Sequence, residues 1–236
     1  MELKAIFIDI DNTLLDFDAY VRETLREGFQ RFGLGTYAPY VYEVFTEINN
    51  GLWQEIEQGS LTFEELEKIR FDRIFKRLGI YFDGPTFERH FKEALNRSAI
   101  PVDGAGELLD GLAGRYILCT ASNGPYDQQI GRLRLAGMEK YFSLHFISER
   151  IGASKPDPAF FERAFALLNA GRRVPIRPEE CLMLGDSVSS DMAGGHNAGM
   201  KTCFYRRDRN RPRPDGVDLV VDDLRDVAGQ LTMNNG

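Results

Sequence analysis

Ala5-Ile6-Phe7-Ile8-Asp9-Ile10-Asp11-Asn12-Thr13 is the stretch that decides how this chain folds. Ala5 to Ile8 is apolar at every position, as expected of a parallel strand buried on both faces. The run then delivers Asp9 and Asp11 at its carboxyl end, where open α/β sheets bind their ligands. Side chains alternate along a strand, so the two carboxylates can point the same way. Two like charges held close are unfavourable unless a cation or a proton-transfer role keeps them there. The spacing therefore asks for a metal and for acid–base chemistry. A second acidic strand end follows far downstream. Gly185-Asp186-Ser187-Val188-Ser189-Ser190-Asp191 comes directly after the apolar run Cys181 to Leu184.

Outward from these strands the chain divides by pattern. Beyond residue 100, short apolar runs predict strands at Tyr116–Ala121, His145–Ser148, Cys181–Leu184, Thr202–Tyr205 and Leu219–Val221. Amphipathic stretches at Pro125–Gly137 and Asp157–Ala170 predict helices between them. Strands alternating with helices specify an α/β fold with a parallel sheet and helices on both faces. The stretch from Asp16 to Ile100 reads instead as helices, at Asp18–Phe32, Ala38–Gln58, Thr62–Leu78 and Pro85–Arg97. Thr62 and Glu65 stand at capping-box spacing, which places a helix start there.

At 236 residues with 43% apolar content, the chain fits one large domain or a core carrying one insertion. A net charge of −7 argues against sequence-independent nucleic-acid binding, which needs a basic field. No stretch approaches the roughly 18 apolar residues of a membrane helix. The first residues enter a strand with no basic segment, long apolar stretch or small-residue cleavage site. Cys119, Cys181 and Cys203 are odd in number and lie in strand-like runs, which predicts buried reduced thiols in a cytoplasmic protein. His90, His145 and His196 form no motif and read as structural or surface residues. Arg206 to Arg213 reads as a solvated basic loop, with an anionic contact as the alternative. No G-x-x-x-x-G-K-[ST] loop is present, which excludes a kinase or motor of that class.

Four short patterns occur in a fixed order: Asp9-x-Asp11-x-Thr13, Ser122-Asn123 after Ile117 to Ala121, Lys155-Pro156, and Gly185-Asp186 followed by Asp191. Together they resemble the phosphatase branch of the haloacid dehalogenase superfamily. Singly, Asp11 and Thr13 could cap a turn and Asp191 a helix; the ordered set carries the reading. The resemblance implies a Rossmann-like core over residues 1–15 and 101–236, with an all-helical cap of the C1 type over 16–100. It implies a central Asp9 strand, with the Ser122 and His145 strands on one side and the Asp186 and Thr202 strands on the other. One helix and one strand should fill Asn123 to Lys155, leaving no room for the other cap position.

The resemblance also implies roles. Asp9 would attack phosphorus and Asp11 would act as general acid and base. Magnesium would be held by Asp9, the backbone carbonyl of Asp11, and Asp186. Lys155, Ser122 and backbone N–H groups near Asn123 would bind the substrate phosphate, and Asp191 would orient Lys155 or a metal-bound water. Asp11 argues against dehalogenation, because the superfamily's dehalogenases lack an acid there.

The substrate is expected to be a small phosphorylated metabolite, with neither nucleic acid nor membrane as partner and with a monomer or homodimer as the assembly. Leu52-Trp53-Gln54, Gly59-Ser60-Leu61-Thr62 and Ile147-Ser148-Glu149 resemble cytoplasmic 5′-nucleotidases that cleanse nucleotide pools. That resemblance favours a nucleoside 5′-monophosphate. Trp53, Tyr37, Tyr40 and Tyr42 would then offer stacking surface, or else simply pack the helices. The alternatives are a sugar-phosphate or phosphoglycolate phosphatase, a phosphomutase, or a non-catalytic binding protein.

Overall fold

In a computed structural model that describes residues 2–233, β1 (Ala5–Ile8) is wholly buried inside a six-stranded sheet. The other strands are β2 (Ile117–Ser122), β3 (Leu144–Ile147), β4 (Cys181–Gly185), β5 (Lys201–Tyr205) and β6 (Leu219–Val221). Their order is β3-β2-β1-β4-β5-β6 and every pairing is parallel. The chain runs outward from β1 through β2 to β3, then returns to the other side of β1 for the remaining three. That reversal opens a crevice at the carboxyl ends of β1 and β4. Register fixes what meets there, because Ile8 pairs with Thr120 on one side and Leu184 on the other. The strand ends carrying Asp9, Ser122 and Asp186 therefore lie side by side.

The chain divides into two compact units, Met1–Asp16 with Pro101–Gly236 and Phe17–Ile100. The insertion leaves and re-enters at one place, where Val102 N–H donates to the Leu14 carbonyl at 2.9 Å. The division falls one residue later than a 16–100 boundary, since Asp16 is ion-paired to Arg207 within the α/β unit at 2.7 Å.

Phe17–Ile100 contains α1 (Phe17–Phe32), α2 (Pro39–Glu57), α3 (Phe63–Leu78) and α4 (Gly84–Leu95). Thr62 caps α3 with the reciprocal Glu65 contacts of a capping box, and Gly79 closes it with φ of 68°. Its core is aromatic: Tyr20, Phe29, Phe45, Phe71, Phe75, Phe87 and Phe91 are all buried together. Trp53 packs against Phe63, with ring centroids 5.7 Å apart.

The α/β unit adds α5 (Ala105–Leu112), α6 (Tyr126–Leu135), α7 (Ser148–Ile151), α8 (Pro158–Leu168), α9 (Ala193–Asn197) and α10 (Val227–Met233). The two-residue period of β1 sorts its side chains. Ile6 and Ile8 pack with Leu109, Ile130 and Leu133 on one face, while Ala5 and Phe7 pack with Phe160, Phe161 and Leu168 on the other. This double burial is why the strand is apolar throughout. Cys119, Cys181 and Cys203 are buried free thiols. Among the described residues, no helix is long and apolar enough to cross a membrane.

Three expectations are corrected. Asn123 to Lys155 holds a 3-10 turn at Glu139–Tyr141 and the one-turn helix α7, besides one helix and one strand. Arg206 and Arg207 are not simply solvated: Arg206 makes two 2.7 Å hydrogen bonds to Asp222, and Arg207 donates to Asp16 and Asn12. Asp9 and Asp11 do not point to common partners, because β1 ends at Ile8 and the chain turns. Leu14 and Leu15 donate to the Ile10 carbonyl, and Asn12 takes a φ of 63°.

Candidate active site

Asp9 follows β1 directly, its backbone N–H donating to the Leu184 carbonyl of β4 at 2.9 Å. Its carboxylate accepts from the Lys155 ammonium at 2.8 Å. Lys155 is buried and its Nζ also donates to the Ala121 carbonyl at 2.6 Å and to Asp191 Oδ1 at 2.5 Å. All three ammonium protons are thus engaged by one nucleophile candidate, one strand end and one further carboxylate.

Asp191 lies in a π-helical turn, Val188–Met192, a form that often marks functional sites. Its second oxygen accepts from the Ser187 N–H at 3.0 Å. A Cβ on Gly185 would sit 2.1 Å from that oxygen, so the β4 end must be glycine for the carboxylate to lie against it. The glycine of the Gly185-Asp186 pair is explained by this close approach.

Asp9, Asp186 and Asp191 each offer a carboxylate oxygen within 4.8 Å of the other two. Against these stands one buried ammonium. Burial, reinforced by Asp191 and opposed by Lys155, pushes the Asp9 carboxyl up to about 7. Burial alone would lower the Lys155 ammonium, yet Asp191 and Asp9 together drive it above its usual range. Three carboxylates therefore converge around one ammonium. A hard divalent cation suits a donor set made only of oxygens, so these residues fit magnesium.

Asn123 and Ser122 have separate tasks. The Asn123 side chain donates to the Lys155 carbonyl at 2.9 Å and accepts from the Lys155 N–H at 2.8 Å. Its amide is spent on holding the Lys155 backbone. Ser122 is buried, and its Oγ accepts from Gln129 Nε2 at 3.1 Å.

The Asp11 carboxylate reaches a different pair. Oδ1 accepts from Arg132 at 2.7 Å and Oδ2 from Gln129 at 2.8 Å. Neither donor is distinguishable in the sequence from an ordinary polar helix residue. The signal they leave is their i,i+3 spacing, which puts both on one face of α6.

A family profile for haloacid dehalogenase-like hydrolases matches residues 3–199. The chain is 34% identical to pyrimidine 5′-nucleotidase PynA of Streptococcus pneumoniae over 207 residues, 87% of this chain and 84% of that protein. It is 33% identical to pyrimidine 5′-nucleotidase YjjG of Escherichia coli, covering 92% of each. Its fold matches the HAD-hydrolase YfnB of Bacillus subtilis, solved bound to magnesium, with a TM-score of 0.86 at 28% identity over 98% of this chain and 99% of that one. This chain belongs to the haloacid dehalogenase-like hydrolases, and it is an enzyme of that family.

Proposed function

We propose that this hydrolase cleaves phosphomonoesters with magnesium, and that its substrate is a nucleoside 5′-monophosphate. The observation that carries the chemistry is the Lys155 ammonium held between Asp9 and Asp191 beside Asp186, at the carboxyl ends of β1 and β4. The substrate class is supported by the two nucleotidases the chain resembles along most of its length.

Asp9 is the nucleophile: an oxygen of its carboxylate attacks phosphorus and the bond to the ester oxygen breaks, leaving an aspartyl-phosphate. Asp11 protonates the departing alkoxide, then takes a proton from the water that attacks phosphorus and frees Asp9. Lys155 sets a fixed positive charge beside the phosphoryl group, the backbone N–H at Asn123 holds a phosphoryl oxygen, and Ser122 offers its hydroxyl. Asp9, Asp186 and the Asp11 backbone carbonyl would hold magnesium, whose charge offsets the repulsion between carboxylate and phosphate. Asp191, with both oxygens occupied by Lys155 and Ser187, holds the lysine in place.

The test is kcat/KM for nucleoside 5′-monophosphates against hexose phosphates and phosphoglycolate, with magnesium present. The nucleotides are expected to be preferred. A clear preference for either competitor would reassign the substrate and leave the chemistry standing.

A further inference from the structure

Gln129 and Arg132 lie one turn apart on α6, and both side chains are buried, at 2% and 1% exposure. An arginine is rarely buried unless a carboxylate accepts its charge, because desolvating the guanidinium is costly. Here that carboxylate is Asp11, 121 residues away in the chain. Arg132 Nη1 donates to Asp11 Oδ1 at 2.7 Å and to Gln129 Oε1 at 3.0 Å. Gln129 Nε2 in turn donates to Asp11 Oδ2 at 2.8 Å and to Ser122 Oγ at 3.1 Å. Each oxygen of Asp11 has its own donor, and the two donors are fixed against each other. The Asp11 side chain remains 30% exposed while the Arg132 side chain is 1% exposed. The carboxylate is gripped from its buried side and open on the other.

We infer that Arg132 and Gln129 are positioning residues for the reaction, acting through Asp11 and Ser122. The inference rests on the phosphomonoesterase reading above. A general acid works only within hydrogen-bond reach of the oxygen it protonates, and a displacement of about 1 Å can cost on the order of 10²-fold. Asp11 sits on a turn beyond the end of β1, where an isolated bridge to Leu15 holds its backbone and leaves the side chain to be fixed by other groups. The two donors supply that restraint. Gln129 does a second thing: by holding Ser122 as well, it sets the acid at a fixed distance from a group proposed to meet the phosphate. One amide thereby registers both ends of the ester being cleaved.

A double-mutant cycle separates this role from a purely structural one. Arg132→Met and Gln129→Leu should each lower kcat for a nucleoside 5′-monophosphate by about 10–100-fold, as is typical for groups that orient a reacting side chain. The effect on kcat should exceed that on KM for Arg132→Met, whereas Gln129→Leu should also raise KM through Ser122. Arg132→Lys, which keeps the charge but loses the planar guanidinium, should fall between wild type and Arg132→Met. In an Asp11→Asn background, itself down roughly 10²–10⁴-fold, Arg132→Met should bring no further loss. Melting temperatures show which variants fold, and Gln129→Leu carries the same cycle in kcat, its Ser122 effect being read in KM, if Arg132→Met does not. Additive losses with Asp11→Asn would overturn the inference, and so would full activity in both single variants. Failure of all three substitutions to fold would overturn it too, because the network would then serve stability. If Asp11→Asn itself loses nothing, the acid–base assignment fails first and the positioning role with it.

Discussion

Each unit of this chain buries a charged cluster, and the two clusters are built on opposite rules. In the helical unit, Arg70 donates to Glu88 through Nε at 3.0 Å and to Asn49 Oδ1 at 3.0 Å, with its guanidinium 4.7 Å from the Phe91 ring centroid. One cation meets one anion and the planar fork is matched to a carboxylate. In the α/β unit a single ammonium, Lys155, stands among Asp9, Asp191 and nearby Asp186. Three carboxylates thus crowd one ammonium. A balanced buried pair specifies how helices pack. A surplus of one sign, aimed at a crevice, is a demand for something from solution.

That contrast can be broken at either end. The largest effect should come from removing metal: chelation is expected to abolish phosphate release, and magnesium to restore it. Calcium should fail to restore it, because it accepts more ligands in looser geometry and would misplace the Asp9 oxygen. Full activity in chelator, with metal loss verified, would mean that the surplus carboxylates have another purpose. Next comes the balanced pair. Glu88→Ala leaves Arg70 buried without its carboxylate and should cost about 3–5 kcal/mol of stability, read by denaturant unfolding. The folded fraction should keep its magnesium requirement. Replacing both partners, Arg70→Met with Glu88→Leu, should recover most of that loss. If the double replacement is as damaging as the single one, the pair is more than architecture.

Much of this was legible in the residues, for identifiable reasons. β1 is buried on both faces, so its apolar run is continuous and its boundary with Asp9 is abrupt. The Thr62–Glu65 capping box is a local contact and could be read locally. Helix α5 could not. Ala105-Gly106-Glu107-Leu108-Leu109-Asp110-Gly111-Leu112 contains two glycines, which oppose a helix, and only burial of Leu108, Leu109 and Leu112 overrides them. The divergence of Asp11 from Asp9 was hidden because strand alternation holds only while the strand lasts, and β1 ends at Ile8. Arg132 and Gln129 were invisible for a third reason. What makes them unusual is burial against a turn 118 or more residues away, which no local pattern encodes.

The central claim is that the carboxylate surplus exists to let Asp9 take a phosphoryl group. Acid quenching during turnover of a nucleoside monophosphate labelled with radioactive phosphorus tests it directly. Digestion should find a hydroxylamine-labile label on the peptide carrying Asp9, formed only when magnesium is present, and Asp9→Asn should show neither label nor turnover while keeping its fold. Label on a different residue, or an Asp9→Asn variant that hydrolyses the substrate at the wild-type rate, would contradict the account.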